Sequence, residues 1–299
     1  MTTLITGAHG QLGSDLQQCL TGRVMAVGRQ ELDITDADNV DAFLQEHKPS
    51  VVINAAAYNK VDQAESEPQV AYAVNALGPR NLATACERIG ATLVHVSTDY
   101  VFGQDSSRLM PFTEADPPGP CSAYGISKLA GEHFAQAFCG RCFVVRTCGV
   151  YGHAARQGAG KGNFVETMLR LGSELDQISV VNDQYCTPTS SQDLARAIVR
   201  LLETTEYGLY HFTNEGSATW YDFAVEIFAA AGMEVDVRPI PSSEYPTKAQ
   251  RPRFSLLNCT RYEAATGELI PEWQTSLREY LREREAALQP VEDTATAAS

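Results

Sequence analysis

Five short apolar runs, TLITG, RVMAVG, VVINAAA, TLVHVS and CFVVRT, punctuate the first half of the chain, each bounded by turn residues. Between them lie stretches of helical periodicity: QLGSDLQQCL, DADNVDAFLQEH, PQVAYAVNALGPRNLATACERIG and AYGISKLAGEHFAQAF. Runs this short and apolar throughout read as strands buried on both faces. Parallel neighbours need crossover connections, so the alternation predicts a Rossmann-like, doubly wound α/β fold: a parallel sheet with helices on both faces.

After Thr147 the pattern loosens. Residues 152–163, GHAARQGAGKGN, read as a loop, and FVETMLRLGSEL as a helix. A further β-α unit, ISVVND and SSQDLARAIVRLLE, precedes a strand GLYHFTN, a helix WYDFAVEIFAAAG, a strand MEVDVRPI and a last helix TSLREYLREREAAL. The expected division is a Rossmann domain of residues 1–147 with returning segments near 178–204 and 245–260. A smaller α/β substrate lobe takes 148–177, 205–244 and 261–289. The tail 290–299, PVEDTATAAS, has almost no bulky apolar residue and is expected to be disordered.

A net charge of −14 argues against a partner that is a nucleic acid polymer or an anionic membrane, since both need a basic footprint. No apolar run approaches the roughly 20 residues of a membrane span, and no signal peptide is visible. The eight cysteines are scattered without the density of a disulfide-stapled domain, so a reducing cytoplasm is expected. Cys139 and Cys142 form a CxxC, but no second pair or histidine cluster completes a zinc site, and a structural role is the better reading.

Gly7, Gly10 and Gly13 lie at a Gly-x-x-Gly-x-x-Gly spacing directly after the first strand and at the start of a helix. That junction allows a sharp turn, close approach of backbone to a pyrophosphate, and capture by helix N-terminal amides, which predicts dinucleotide binding. At the end of the second strand, where an NAD site offers a carboxylate to the ribose, this chain has Gly28-Arg29. An arginine there favours a 2′-phosphate and hence NADPH, while Glu31 keeps NADH open. Asp33 and Ile34 would lie near the adenine, or Asp33 would cap the next helix. Ala55, Ala56 and Ala57 end the third strand and would let a flat cofactor lie against the backbone, or serve tight packing.

The fourth strand delivers Ser97, Thr98 and Asp99 to the carboxyl edge of the sheet, where ligands of such folds bind. Tyr124 and Lys128 follow in YGISK. Roughly 0.2 Tyr-x-x-x-Lys matches arise by chance in a chain of this composition, so context must decide. Residues i and i+4 share a helix face, so phenol and ammonium can enter one cleft. Hydride reduction of a ketone leaves an alkoxide that needs a proton. A phenol backed by a lysine can donate it, with a hydroxyl from Thr98 or Ser97 holding the carbonyl oxygen.

TGAHGQLG, INAAAYNKVDQAE, STDYVFG, YGISK, RT-x-x-VYG, QYCTPT and YPT-x-x-x-RP resemble the extended short-chain dehydrogenase/reductases, and among them the dTDP-4-dehydrorhamnose reductase family. The resemblance runs roughly from Thr3 to Leu288. It implies reduction of the 4-keto group of dTDP-4-dehydro-β-L-rhamnose by NADPH, with Thr98, Tyr124 and Lys128 as the catalytic trio. It adds Gln11, Leu12 and Asn75 to the cofactor side, and Val61, Ser97, Asp99, Asn163, Phe164 and Arg251 to the dTDP-sugar side. A guanidinium such as Arg251 can clamp a diphosphate with two hydrogen bonds.

Two departures stand out. Gly149 replaces a tryptophan that the family often carries near the sugar, which leaves room for another nucleotide-sugar 4-keto reductase or an epimerase. Asp15 and Gln192 stand where some members hold Mg²⁺ through glutamates, and with a carboxylate missing no metal is expected. A non-catalytic role like that of the methionine adenosyltransferase β subunit is disfavoured by the intact trio. The sequence leaves a homodimer open.

Overall fold

The structure is a computed structural model that describes residues 2–157 and 162–288. The expected tail at 290–299 and the centre of the glycine-rich loop fall outside the described residues. No helix among the described residues is long and apolar enough to cross a membrane.

The five apolar runs become β1 (Thr2–Thr6), β2 (Arg23–Val27), β3 (Val51–Asn54), β4 (Thr92–Thr98) and β5 (Cys142–Thr147). All pair in parallel, and the sheet runs Gly208–His211, β5, β4, β3, β1, β2. Every residue of β3 and β5 is buried, because helices cover both faces. Leu12, Leu16, Leu194 and Ile198 fill one side of the sheet, and Leu44, Leu82 and Ala135 the other. The chain winds outward from β1 to β2, then crosses to β3. The crevice of this fold therefore opens at the carboxyl ends of β1 and β3.

Two strands join sheets other than those expected. Gly208–His211, assigned with 205–244 to the lobe, extends the main sheet by pairing with β5. Gln177–Val181, opening the segment expected to return to the Rossmann domain, instead pairs in parallel with Asp236–Ile240 as a separate two-stranded sheet. Both are short apolar runs, and periodicity states that a run is a strand without saying which edge it joins. The Ser191–Leu202 helix does pack on the main sheet through Leu194, Ile198 and Leu201. The lobe has its own core of Tyr151, Val165, Phe223, Ile227, Trp273 and Leu277.

The long helical stretch before β4 is interrupted. Pro68–Tyr72 and Gly78–Ile89 are α-helical, and a π-turn spans Ala73–Leu77. Pro79 has no N–H to offer the Asn75 carbonyl one turn back, so the ladder opens there. Across from it runs the Ala123–Phe138 helix, started by the Ser122 hydroxyl accepting from Gly125 N at 3.1 Å. Two glycines let this helix lie very close to its neighbours. A Cβ at Gly125 would stand 2.2 Å from Tyr100 O, and one at Gly131 would stand 2.1 Å from Asn75 O. Neither contact can be relieved by a side-chain rotation, since both partners are backbone. Gly131→Ala is therefore expected to cost about 2 kcal/mol or more. The check is a lower urea midpoint at unchanged m, and an unchanged midpoint would show that the contact is slack.

Candidate active site

The turn after β1 is built around absent side chains. Gly7 has φ +71°, and a Cβ on it would meet Ala56 N at 2.6 Å. A Cβ at Gly13 would meet Gly7 O at 2.4 Å. Gly10 precedes the Gln11–Cys19 helix and supplies no side-chain cap, so the first amides of that helix keep no partner from it. This cradle suits a pyrophosphate, as the fold demands. Beside it a cleft of ≈ 330 Å³ is lined by Gly7, Gly10, Arg29, Asp33, Ile34 and Ala55–Ala57, all of which the sequence had assigned to a dinucleotide. His9, Gly28, Leu32, Tyr58, Asn59 and Val74 complete its wall.

Charge at the mouth of the cleft is settled by local hydrogen bonds. Glu31 turns back to accept from Gly28 N at 2.9 Å, so this carboxylate is spent on the turn. Arg29, with 79% of its side chain exposed, bonds Asp33 at 3.2 Å. Asp33 also accepts from Thr35 N and its hydroxyl, which together with Arg29 hold its carboxyl below the usual range. It does not cap the next helix; Asp36 does, accepting from Asn39 N at 3.0 Å. Leu12 and Ile34 put their side chains in the core.

Tyr124, Lys128 and Thr98 meet at the carboxyl end of β4. Tyr124 and Lys128 occupy successive turns of the Ala123–Phe138 helix and are both buried. Burial pushes the Tyr124 phenol well above its ordinary pKa, partly offset by its hydrogen bond with Thr98, while the Asp99 charge adds to the rise. The phenol thus holds its proton at neutral pH. Burial brings Lys128 down to about 8, against the opposing pull of Glu132, and its Nζ donates to Val96 O at 2.6 Å. Thr98 donates to Asp99 at 3.1 Å and accepts from Tyr100 N at 3.2 Å. Asp99 is itself buried, which raises its pKa, and is answered by hydrogen bonds from Ser255 at 2.6 Å, from Cys148 and from Thr98. The arrangement sets a protonated phenol beside the Thr98 hydroxyl, with the Lys128 ammonium one helical turn on and held by Val96 O of the same strand.

Several residues expected to face ligands also make hydrogen bonds or packing contacts within the chain. Ser97 gives its hydroxyl to Glu132 at 2.5 Å instead of to the cleft. Asn75 accepts from Tyr58 N at 2.8 Å and donates to Tyr58 O and Ser127, so its amide ties the cleft wall to the Ala123–Phe138 helix. Gln11 accepts from Gly152 N at 2.7 Å and from Asn163 at 2.8 Å, joining the glycine turn to the lobe. Asn163 caps the Phe164–Glu174 helix, and Phe164 packs on Trp220 and Phe223 in the lobe core. Val61 packs in the cluster around Tyr124, and Arg251 bonds neighbouring Asp62 at 2.9 Å. Arg251 also faces Tyr100, and its Nε finds no partner among the described residues.

The sequence reading missed the Glu132–Arg146 ion pair, at 2.7 Å and almost wholly buried. The signal was available: Glu132 lies four residues after Lys128, on the same helix face. Gly149 has φ +55°, and a Cβ there would approach Pro188 Cα at 3.4 Å. Asp15 bonds Ser191, and among the described residues no cluster of three or more His, Cys, Asp or Glu side chains could hold a metal. Cys139 and Cys142 are buried free thiols.

The family model described as RmlD substrate binding domain matches residues 1–286. A dTDP-4-dehydrorhamnose reductase of Streptomyces griseus is 42% identical over 286 residues, covering 92% of this chain and 91% of the relative. The crystal structure of a dTDP-4-dehydrorhamnose reductase from Clostridium acetobutylicum gives a TM-score of 0.90 at 44% identity, covering 95% of this chain and 100% of that one. A dTDP-4-dehydrorhamnose reductase from Bacillus anthracis in complex with NADP gives 0.89 at 41%, covering 94% and 99%. With likeness of this extent along nearly its whole length, the chain belongs to the dTDP-4-dehydrorhamnose reductase family.

Proposed function

We propose that this chain uses NADPH to reduce the 4-keto group of dTDP-4-dehydro-β-L-rhamnose to the alcohol of dTDP-L-rhamnose. The observation that carries the reading is Tyr124 set against Thr98, with Lys128 one turn on and bonded to Val96 of the same strand, in a chain whose β1 turn is a glycine cradle with no room for side chains. Membership of the family, and the NADP in the Bacillus anthracis relative, support the substrate class and the cofactor. Arg29 at the cleft mouth, with Glu31 folded away from it, supports NADPH over NADH.

When bound, the reduced nicotinamide supplies the hydride. The chain's own residues handle the oxygen. Tyr124 holds the carbonyl oxygen, joined by the Thr98 hydroxyl once it turns from Asp99, and Tyr124 gives its proton as negative charge develops there. Burial keeps the phenol neutral until that moment. The phenolate left behind faces the Lys128 ammonium in a site with little water to screen it, so the attraction is far stronger than at a surface. Arg251, beside Asp62 and Tyr100, is the cation offered to the diphosphate of the sugar nucleotide.

Tyr124→Phe and Lys128→Met are each expected to lower kcat by roughly a hundredfold or more, measured as NADPH oxidation with the purified 4-keto sugar nucleotide. A native protein that oxidises NADPH no faster than these variants would refute the reading, and turnover of a different 4-keto sugar nucleotide alone would move it to another substrate.

The lysine acts as an ammonium, and its pKa stands at about 8. Its contribution is complete below that pH and is lost above it, so kcat/KM should fall through one ionisation near pH 8 on the alkaline side. Lys128→Met should lack that limb.

Arg29→Ala is expected to raise KM for NADPH roughly tenfold while leaving KM for NADH unchanged. Equal effects on the two cofactors would remove Arg29 as the selector.

A further inference from the structure

Directly behind the reacting groups lies a buried polar cluster that none of the roles above uses. Glu132 is 2% exposed, one turn beyond Lys128 and two beyond Tyr124 on the same face of their helix. Its Oε1 accepts from Ser97 Oγ at 2.5 Å and from Arg146 Nε at 2.9 Å, and its Oε2 accepts from Arg146 Nη2 at 2.7 Å. Ser97 immediately precedes Thr98 on β4, and Arg146 lies on β5. One carboxylate thus links the helix carrying Tyr124 and Lys128 to the strand carrying Thr98 and to the strand beside it.

We propose that Glu132 is a positioning residue for the reduction: its carboxylate locks the catalytic helix to the end of β4 and sets a compensating negative charge one turn behind Lys128. The inference rests on the reduction proposed above. A buried ion pair contributes little net stability over apolar side chains of the same size, so stability alone gives no reason for a bidentate pair here. Its orientation does. Of the pair, the carboxylate acts on Lys128, raising its pKa against the effect of burial. Tyr124 lies one turn before Lys128 on the same helix, and His95 on β4 feels the Lys128 charge. Arg146 on β5 and His211 on the adjoining strand stand behind Glu132. Burial drives His95 well below its ordinary range and brings His211 to about 3, so both rings are neutral where the protein would work and neither can replace the carboxylate.

The test is the pH dependence of NADPH oxidation by Glu132→Gln, which keeps size and an acceptor for Ser97 but removes the charge. The alkaline limb of kcat/KM is expected to move to lower pH by roughly one unit, because Lys128 loses a contribution that raises its pKa. The drop in kcat should be roughly tenfold, with a smaller change in KM. Glu132→Asp, which retains the charge, should restore the limb even with kcat reduced. If Glu132→Gln does not fold, Ser97→Ala supplies the reading: it leaves the ion pair intact and is expected to lower kcat roughly tenfold with the limb unmoved. A limb that stays in place in Glu132→Gln, or an unchanged kcat in Ser97→Ala, overturns the proposal. An inactive native protein would instead refute the reduction itself.

Discussion

The contact between one face of the Ala123–Phe138 helix and the carboxyl end of β4 is the constraint on which the rest of the site depends. The helix reaches that position only because Gly125 and Gly131 let its backbone touch Tyr100 O and Asn75 O. Once it is there, the apolar packing that excludes water from Tyr124 also buries Lys128, and both shifts in acidity follow from that burial. The phenol is held protonated and the amine is brought toward neutrality. The opening of the helix at Asn75 belongs to the same contact: Pro79 has no N–H for the Asn75 carbonyl, and the Asn75 side chain ties the Tyr58 segment to Ser127.

An ammonium deprived of water is expensive unless something answers it. Here Val96 O takes a hydrogen bond and Glu132 supplies a charge. A second set of links carries the geometry outward. Gln11 joins the pyrophosphate turn to Gly152 and Asn163 of the lobe, and Asp62 joins the edge of the cleft to Arg251. The glycine turn and the lobe are thereby fixed to one another by hydrogen bonds whose partners are more than a hundred residues apart in sequence.

The five strands and the placing of Tyr124 and Lys128 on one helix beside the end of β4 were legible because their signals are local. An apolar run reports a strand, a glycine triplet at a strand-helix junction reports a tight turn, and a Tyr-Lys spacing of four reports a shared helix face. The assignment of Gly208–His211 to the main sheet was not legible, since the pairing of an edge strand depends on residues far away in sequence. Ser97 was expected to meet ligands because it ends a strand, and Asn75 because of the family resemblance. Their side chains are held by Glu132, Tyr58 and Ser127, and such pairings are decided by tertiary packing. Glu132 shows the opposite case, a residue whose spacing was readable but whose role needed Arg146 from another strand to become visible.

The central claim is that this site moves a hydride to a sugar ketone and a proton to its oxygen. Reduction of dTDP-4-dehydro-β-L-rhamnose with NADPH deuterated on the transferred face of nicotinamide C4, followed by proton NMR of the product, tests it most directly. The account predicts deuterium at C4 of the product sugar, and with it the loss of that proton signal. Product carrying an ordinary proton at C4, or a labelled cofactor left unconsumed beside unchanged sugar nucleotide, would contradict it.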